Sequence, residues 1–373
     1  MEETSVSRRT FVAMAGAASA ASAAAQTGAS PGRGAVTTSA VNLAAPRASG
    51  GPIRIVTMYP FAPHEVQEIK QAAAPAQIEI VICKDRDEFR KQLRDAEVVY
   101  GGLGRGDVDF ALKLKWIMSG GAGVEGMPKE IVEHPSVLTN YARTFSPGIS
   151  ETAMGLLLCL TRGINTYMRQ FHKDGELKAL GTAKSDHHSE LVGRVMGIVG
   201  MGGIGTNVAR RAHYGFDMVV VATDAKPIPK PHFVSELHDV SWFKEMVPQA
   251  DVLVGAAPHT PQTEGMFNEE VFRSMKKTAY FLALSRGKLI NIDALVRALK
   301  EGWIAGAGLD VFDPDPPPKG HPIYSCNNVV MTPHTSGWSP DRQIRLIALF
   351  AENVRRYARG IPLINVVDKR AGY

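Results

Sequence analysis

Six residues, Gly200-Met201-Gly202-Gly203-Ile204-Gly205, limit what this chain can fold into more than any other stretch. They fit G-x-G-x-x-G, a weak pattern by itself in a chain with 36 glycines. The setting makes it stronger. The apolar run Val195-Met196-Gly197-Ile198-Val199 reads as a strand directly before it, and an apolar-periodic helix over 204–212 follows. A second strand, 218–222, leads to Asp224, 19 residues beyond Gly205. Strand, glycine turn, helix, strand and acidic residue together predict a dinucleotide-binding βαβ unit. Gly200 permits the tight turn, Gly202 lets the backbone approach a pyrophosphate, and Gly205 lets the helix pack close to the strand. Free N–H groups at the helix start and the helix dipole favour phosphate there. Asp224 suits the ribose hydroxyls of NAD and repels the 2′-phosphate of NADP. Lys226 and Lys230 close by are a stiff solvated loop in one reading and a 2′-phosphate site in another, which leaves NADP open. The competing reading of the whole motif is a glycine-rich turn that binds nothing.

The remainder of the chain supports an α/β fold. Short β-branched runs at 53–58, 78–83, 98–100 and 116–118 alternate with helical patterns at 64–74 and 89–93. Further strands at 252–255, 279–284, 305–309 and 329–331 alternate with helices at 240–246, 268–273 and 292–301. Such alternation predicts parallel sheets. An apolar stretch over 150–160, with Ser150 as its candidate N-cap, reads as a buried or domain-linking helix. The last long helical pattern runs over 340–359.

The 373 residues allow two or three domains. A net charge of +5 is too small for a dedicated nucleic-acid face. Three cysteines, none at C-x-x-C spacing, argue against a disulfide framework and a thiolate zinc site, and no metal is expected. No stretch outside the first 50 residues is apolar for long enough to span a membrane.

Those first 50 residues stand apart from the fold. Ser7-Arg8-Arg9-Thr10-Phe11-Val12 precedes a weakly apolar Ala-rich run over 13–25, and Ala23-Ala24-Ala25 offers a small-residue cleavage site. This order resembles a twin-arginine export signal and predicts a periplasmic protein, with 27–51 as a linker. If the leader is only an Ala-rich tail with two chance arginines, the protein is cytoplasmic.

Three polar residues recur at strand ends after the glycine turn. Arg286 stands in Ser285-Arg286-Gly287, Asp315 in Asp313-Pro314-Asp315-Pro316, and His334 in Thr332-Pro333-His334-Thr335. In open parallel sheets the carboxyl ends of the strands bind ligands. There an arginine can grip the carboxylate and carbonyl of a 2-oxo acid. A histidine can exchange a proton, and a carboxylate beside it fixes its tautomer. Taken singly, each has a plainer reading: a surface ion pair, a turn former, a structural histidine.

With these residues in place, the chain resembles the D-isomer-specific 2-hydroxyacid dehydrogenases from about residue 52 to about 365. The motifs that carry the resemblance run from Glu190-Leu191-Val192-Gly193 through Gly205. Further along come Pro258-His259-Thr260-Pro261-Gln262-Thr263, Ser285-Arg286-Gly287, Gly306 to Phe312, and Thr332-Pro333-His334. The resemblance implies two Rossmann-like parallel-sheet domains with a cleft between them. The substrate domain would be 52–150 plus 337–373, and the dinucleotide-binding domain 151–336. It implies hydride transfer between NAD(P) and C2 of a small 2-oxo or D-2-hydroxy acid, such as glyoxylate, hydroxypyruvate or 3-phosphoglycerate. His334 would be the acid/base, Asp315 its orienting carboxylate and Arg286 the substrate arginine. Asp310 would lie near the nicotinamide, with Pro258, Thr263 and Ser285 also around the cofactor. The amides of Gly102, Leu103 and Gly123 would hold the substrate carboxylate. A homodimer through the cofactor domain is also implied. Asp315 departs from the family's glutamate, so its contact is either looser or the loop comes closer. Ala283 stands where asparagine is common. A different class, an NAD(H)-sensing binding protein with little turnover, fits the same fold.

Overall fold

The computed structural model describes residues 51–177 and 188–373. The leader, with its arginine pair and cleavage site, lies outside them. Two compact units are formed, one of residues up to Thr144 together with Pro340–Tyr373, the other of Phe145–Ser339.

In the first unit, β1 (Ile53–Thr57), β2 (Ile78–Ile82), β3 (Val98–Gly101), β4 (Trp116–Ser119) and β5 (Val137–Thr139) form one sheet in the order β2-β1-β3-β4-β5. All neighbours are parallel. Parallel strands are covered on both faces, hence the near-continuous apolar runs of β1 and β4. Helices α1 (Pro63–Ala73), α2 (Arg86–Leu93) and α3 (Lys129–Glu133) cross between strands. Asp85 caps α2 by accepting from the Glu88 amide at 2.8 Å, and Phe89 and Leu93, four apart, bury its inner face. The C-terminal helix, Pro340–Ala358, returns to this unit. Phe350 packs among Phe61, Tyr100 and Trp116. Gln343 donates to the buried Glu65 carboxylate at 2.9 Å. The order of strands reverses between β1 and β3, the place where such sheets bind ligands; Gly101, Gly102 and Leu103 leave β3 there.

The second unit opens with α4 (Ser146–Thr161) and α5 (Ile164–Asp174). Its strands are β6 (Val195–Val199), β7 (Val219–Thr223), β8 (Glu236–His238), β9 (Val252–Gly255), β10 (Tyr280–Ala283), β11 (Gly306–Leu309) and β12 (Val329–Met331). Between them stand α6 (Gly203–Phe216), α7 (Phe243–Met246), α8 (Glu269–Ser274) and α9 (Ile292–Lys300). The sheet order is β12-β11-β10-β9-β6-β7-β8, all parallel, with the reversal between β6 and β9. Phe267, Phe272 and Phe281 fill one face, while α4 packs Ala153, Leu156 and Leu157 on the other.

The helix expected from Ser150 begins four residues earlier. Pro147 presets the first turn, and Ser150 is fully buried, its hydroxyl donating to the Pro147 carbonyl at 2.9 Å instead of capping. The pattern at 240–246 is a 3-10 turn, Val240–Trp242, followed by the four-residue α7. The strand β5 is buried but only three residues long, too short to leave a pattern, while β8 and the helix α5 bury too little to be read in advance; α5 has no buried residue at all. Among the described residues no helix is long and apolar enough to cross a membrane, and no three His, Cys, Asp or Glu side chains gather as a metal site.

Candidate active site

The glycine turn leaves β6 at the sheet's reversal point. Gly200 has φ +94°, and a Cβ there would lie 2.8 Å from the backbone of Ala257. A Cβ on Gly205 would lie 2.0 Å from the Gly200 carbonyl oxygen, so the helix is seated directly on the turn. Gly202 differs: it is exposed, and a Cβ there would meet nothing within 4 Å. The turn is closed on its protein side and open on its outer side. No side chain caps the start of α6, so the N–H groups at Gly203 and Ile204 face outward unopposed by a cap. These features fit a nucleotide pyrophosphate approaching over Gly202.

Asp224 follows β7. Its Oδ2 accepts from the Met201 amide at 2.7 Å and its Oδ1 from the Lys226 amide at 2.8 Å. The carboxylate therefore braces the glycine turn, and its remaining lone pairs are available to ribose hydroxyls. The Met201 side chain is buried in the core, so this residue meets a nucleotide through backbone alone. Thr263 donates to the Pro258 carbonyl at 2.8 Å and accepts from the Thr260 amide at 2.8 Å, tying the 258–263 loop beyond β9 into one turn. Ser285 is buried, with its hydroxyl 3.4 Å from the Gly255 carbonyl. The family resemblance implies a place around the cofactor for Thr263 and Ser285; the structure gives both side chains a local bracing task.

Arg286, Asp310, Asp315 and His334 follow three adjacent strands, β10, β11 and β12. Arg286 is half-buried, and its guanidinium donates to the Ser285 carbonyl at 2.7 Å. The next residue explains the motif around it. A Cβ on Gly287 would lie 1.7 Å from the Phe312 carbonyl oxygen. Only glycine lets the Arg286 segment lie against the segment that continues to Asp315.

His334 and Asp315 meet directly. Nδ1 of His334 is 2.6 Å from Oδ2 of Asp315. A carboxylate only accepts, so Nδ1 carries the hydrogen and Nε2 is the ring's exchangeable site. The aspartate, though shorter than a glutamate, reaches the ring within hydrogen-bond distance. His334 itself has φ +56°, an uncommon backbone state for a residue with a side chain.

Asp310 is 1% exposed. It accepts from the Thr332 hydroxyl at 2.7 Å, from the Thr335 and Ser336 amides at 3.1 and 3.2 Å, and from the Ser336 hydroxyl. The family resemblance implies a place near the nicotinamide for Asp310; this network needs β11 and β12 side by side and leaves no local mark in the sequence. Gly148 of α4 closes the turn from behind: a Cβ there would be 2.7 Å from the Ser336 carbonyl oxygen.

The other expected residues lie in the first unit. Gly102 and Leu103 line a cavity with Ser119, Val124, Glu125 and Met127 at the ends of β3 and β4. Gly123 is outside that lining. Its loop is fastened by the Tyr141 amide donating to the Gly121 carbonyl at 3.1 Å and by Asn140 donating to the Ala122 carbonyl at 2.7 Å. Asn140 and Tyr141 carried no signal in the sequence.

Residues 154–336 match the family model described as D-isomer specific 2-hydroxyacid dehydrogenase, NAD binding domain. A glyoxylate reductase of Korarchaeum cryptofilum is 34% identical over 263 residues, covering 70% of this chain and 78% of that protein. A D-3-phosphoglycerate dehydrogenase of Methanocaldococcus jannaschii is 31% identical over 308 residues, covering 80% of this chain but only 57% of that longer protein. Among solved structures, the NADPH-dependent glyoxylate/hydroxypyruvate reductase of Sinorhizobium meliloti, in complex with NADP and sulfate, superposes with a TM-score of 0.69 at 27% identity. The match covers 86% of this chain and 99% of that one. A glycine turn open to a nucleotide after β6, an acid-backed histidine past β12 of the same sheet and this degree of likeness lead to one conclusion: the chain belongs to the D-isomer specific 2-hydroxyacid dehydrogenases.

Proposed function

We propose that the protein interconverts a small 2-oxo acid and its D-2-hydroxy acid with His334 as acid/base. The observation that carries the reading is the 2.6 Å contact between His334 Nδ1 and Asp315 Oδ2. Reduction of a C2 carbonyl needs a hydride, which is what NADH or NADPH supplies when bound, and a proton on the oxygen. His334 gives that proton from Nε2, and Asp315 stabilises the ring's charged form and holds its orientation. Arg286 pairs with the substrate carboxylate and polarises the carbonyl. In oxidation the neutral Nε2 takes the hydroxyl proton. The glycine turn, the start of α6 and Asp224 hold the nucleotide, and Gly102, Leu103 and Gly123 remain the proposed carboxylate-binding segment of the first unit.

Asp224 favours NAD over NADP; the reductases among the relatives point to glyoxylate or hydroxypyruvate. Purified protein is assayed with NADH and NADPH against a panel of 2-oxo acids. Turnover that His334→Ala abolishes supports the enzyme. Nucleotide binding without turnover of any 2-oxo acid overturns it in favour of a sensing protein.

Two further proposals travel with this reading. The Ser7-Arg8-Arg9 leader sends the folded chain out of the cytoplasm with its nucleotide already bound; fractionation of cells expressing Arg8→Lys/Arg9→Lys protein tests the route. A homodimer uses the cofactor unit, where Ile164, Met168 and Phe171 expose an apolar stripe on α5. Light scattering of Met168→Asp/Phe171→Asp protein should then show monomer.

A further inference from the structure

His334 has to present Nε2 from a backbone conformation that residues with side chains seldom adopt, φ +56°. Its ring is about half exposed, and the Asp315 contact fixes the ring rather than the backbone beneath it. The turn needs its own fastening. Asp310 supplies four acceptor contacts to Thr332, Thr335 and Ser336, on both sides of His334, from a site that is 1% exposed. Charge-assisted bonds of this kind are stronger than neutral ones, and in a buried site more so. The same chain segment supplies Asp315 five residues later. The end of β11 thus holds His334 twice, once by its backbone and once by its ring.

We propose that Asp310 is a positioning residue whose buried carboxylate sets the 332–336 turn and so aims His334, rather than a group whose main task is to bind the nicotinamide. The inference rests on the reading of His334 as the acid/base. It explains why a carboxylate placed at a strand end, where ligands are expected, turns inward. Both oxygens are engaged by the neighbouring turn.

The test separates the two roles. Thr332→Val/Ser336→Ala removes both hydroxyl donors and leaves the Asp310 charge in place. Its kcat should fall about tenfold to a hundredfold, as a misaimed reacting group does, with KM for the 2-oxo acid and the NADH dissociation constant within about twofold. Hydrogen exchange at the Thr335 and Ser336 amides should quicken. Asp310→Asn keeps the shape and an acceptor, so it should show the same exchange change with intact NADH binding measured by fluorescence. If Asp310→Asn instead weakens NADH binding about tenfold while the double variant turns over and exchanges like the parent, the inference falls. Full turnover by His334→Ala would overturn the acid/base reading, and the exchange measurement would still report on the turn.

Discussion

Asp315→Asn keeps the size of the side chain and one acceptor oxygen, and removes its charge. In the parent the carboxylate oxygen lies 2.6 Å from His334 Nδ1. With the charge centres about 4 Å apart, the pair is worth about 4 kcal/mol at an effective dielectric constant of about 20 and about 1 kcal/mol in bulk water. The His334 side chain is 51% exposed and that of Asp315 25%, so screening is partial. A value of about 2 kcal/mol follows, or roughly 30-fold in rate. Oxidation is the direction that should slow, because there the imidazole gains its charge beside the carboxylate on the way to the transition state. The substrate KM and the NADH dissociation constant should hold, since Asp315 touches neither in this reading. Following the nicotinamide absorbance at saturating D-2-hydroxy acid measures this kcat. Asp315→Glu restores the charge with one more methylene. The loop already brings the aspartate into contact, so the longer side chain should push the ring aside and fall short of parent activity. A kcat for Asp315→Asn within threefold of the parent, alongside an inactive His334→Ala, would refute the coupling of these two residues.

Glycines of the site should separate into two kinds. Gly287→Ala drives a Cβ to 1.7 Å from the Phe312 carbonyl oxygen; backbone lies against backbone, so stability should fall by about 3 kcal/mol in denaturant titration. Gly202→Ala has open space around the new methyl, so the melting temperature should hold while nucleotide affinity drops about tenfold in a fluorescence titration. Acid should also weaken the first unit. Burial, then the nearby Lys369, hold the His134 imidazole below its ordinary value. The folded protein keeps it neutral, so its contribution is present above about pH 6.5 and is lost as pH falls through the depressed folded value. His134→Gln should flatten the loss of stability between about pH 7 and about pH 5 in urea titrations.

The glycine turn, the apolar strands and the three polar residues were legible because each is local. A turn that only glycine can make, a run that must be buried on both faces and a residue just past a strand end all leave marks within a few positions of one another. Local pattern also placed β6, β9 and β12 at their observed bounds. It failed where elements bury little, as in β8 and α5, and where one is only three residues long, as in β5. At Ser150 it mistook a buried hydroxyl inside a helix for a cap.

What only the tertiary structure decided is which side chains spend their hydrogen bonds on one another. Asp310 and Ser336 are 26 positions apart, Asp224 and the Met201 amide 23, and Glu65 and Gln343 278. Whether a carboxylate faces a ligand or an amide of its own protein depends on which strand lies next to it. The sequence by itself determined the chemistry available at the strand ends. Strand order, set by the packing of both sheet faces, decided which of those groups aim outward and which hold the aim.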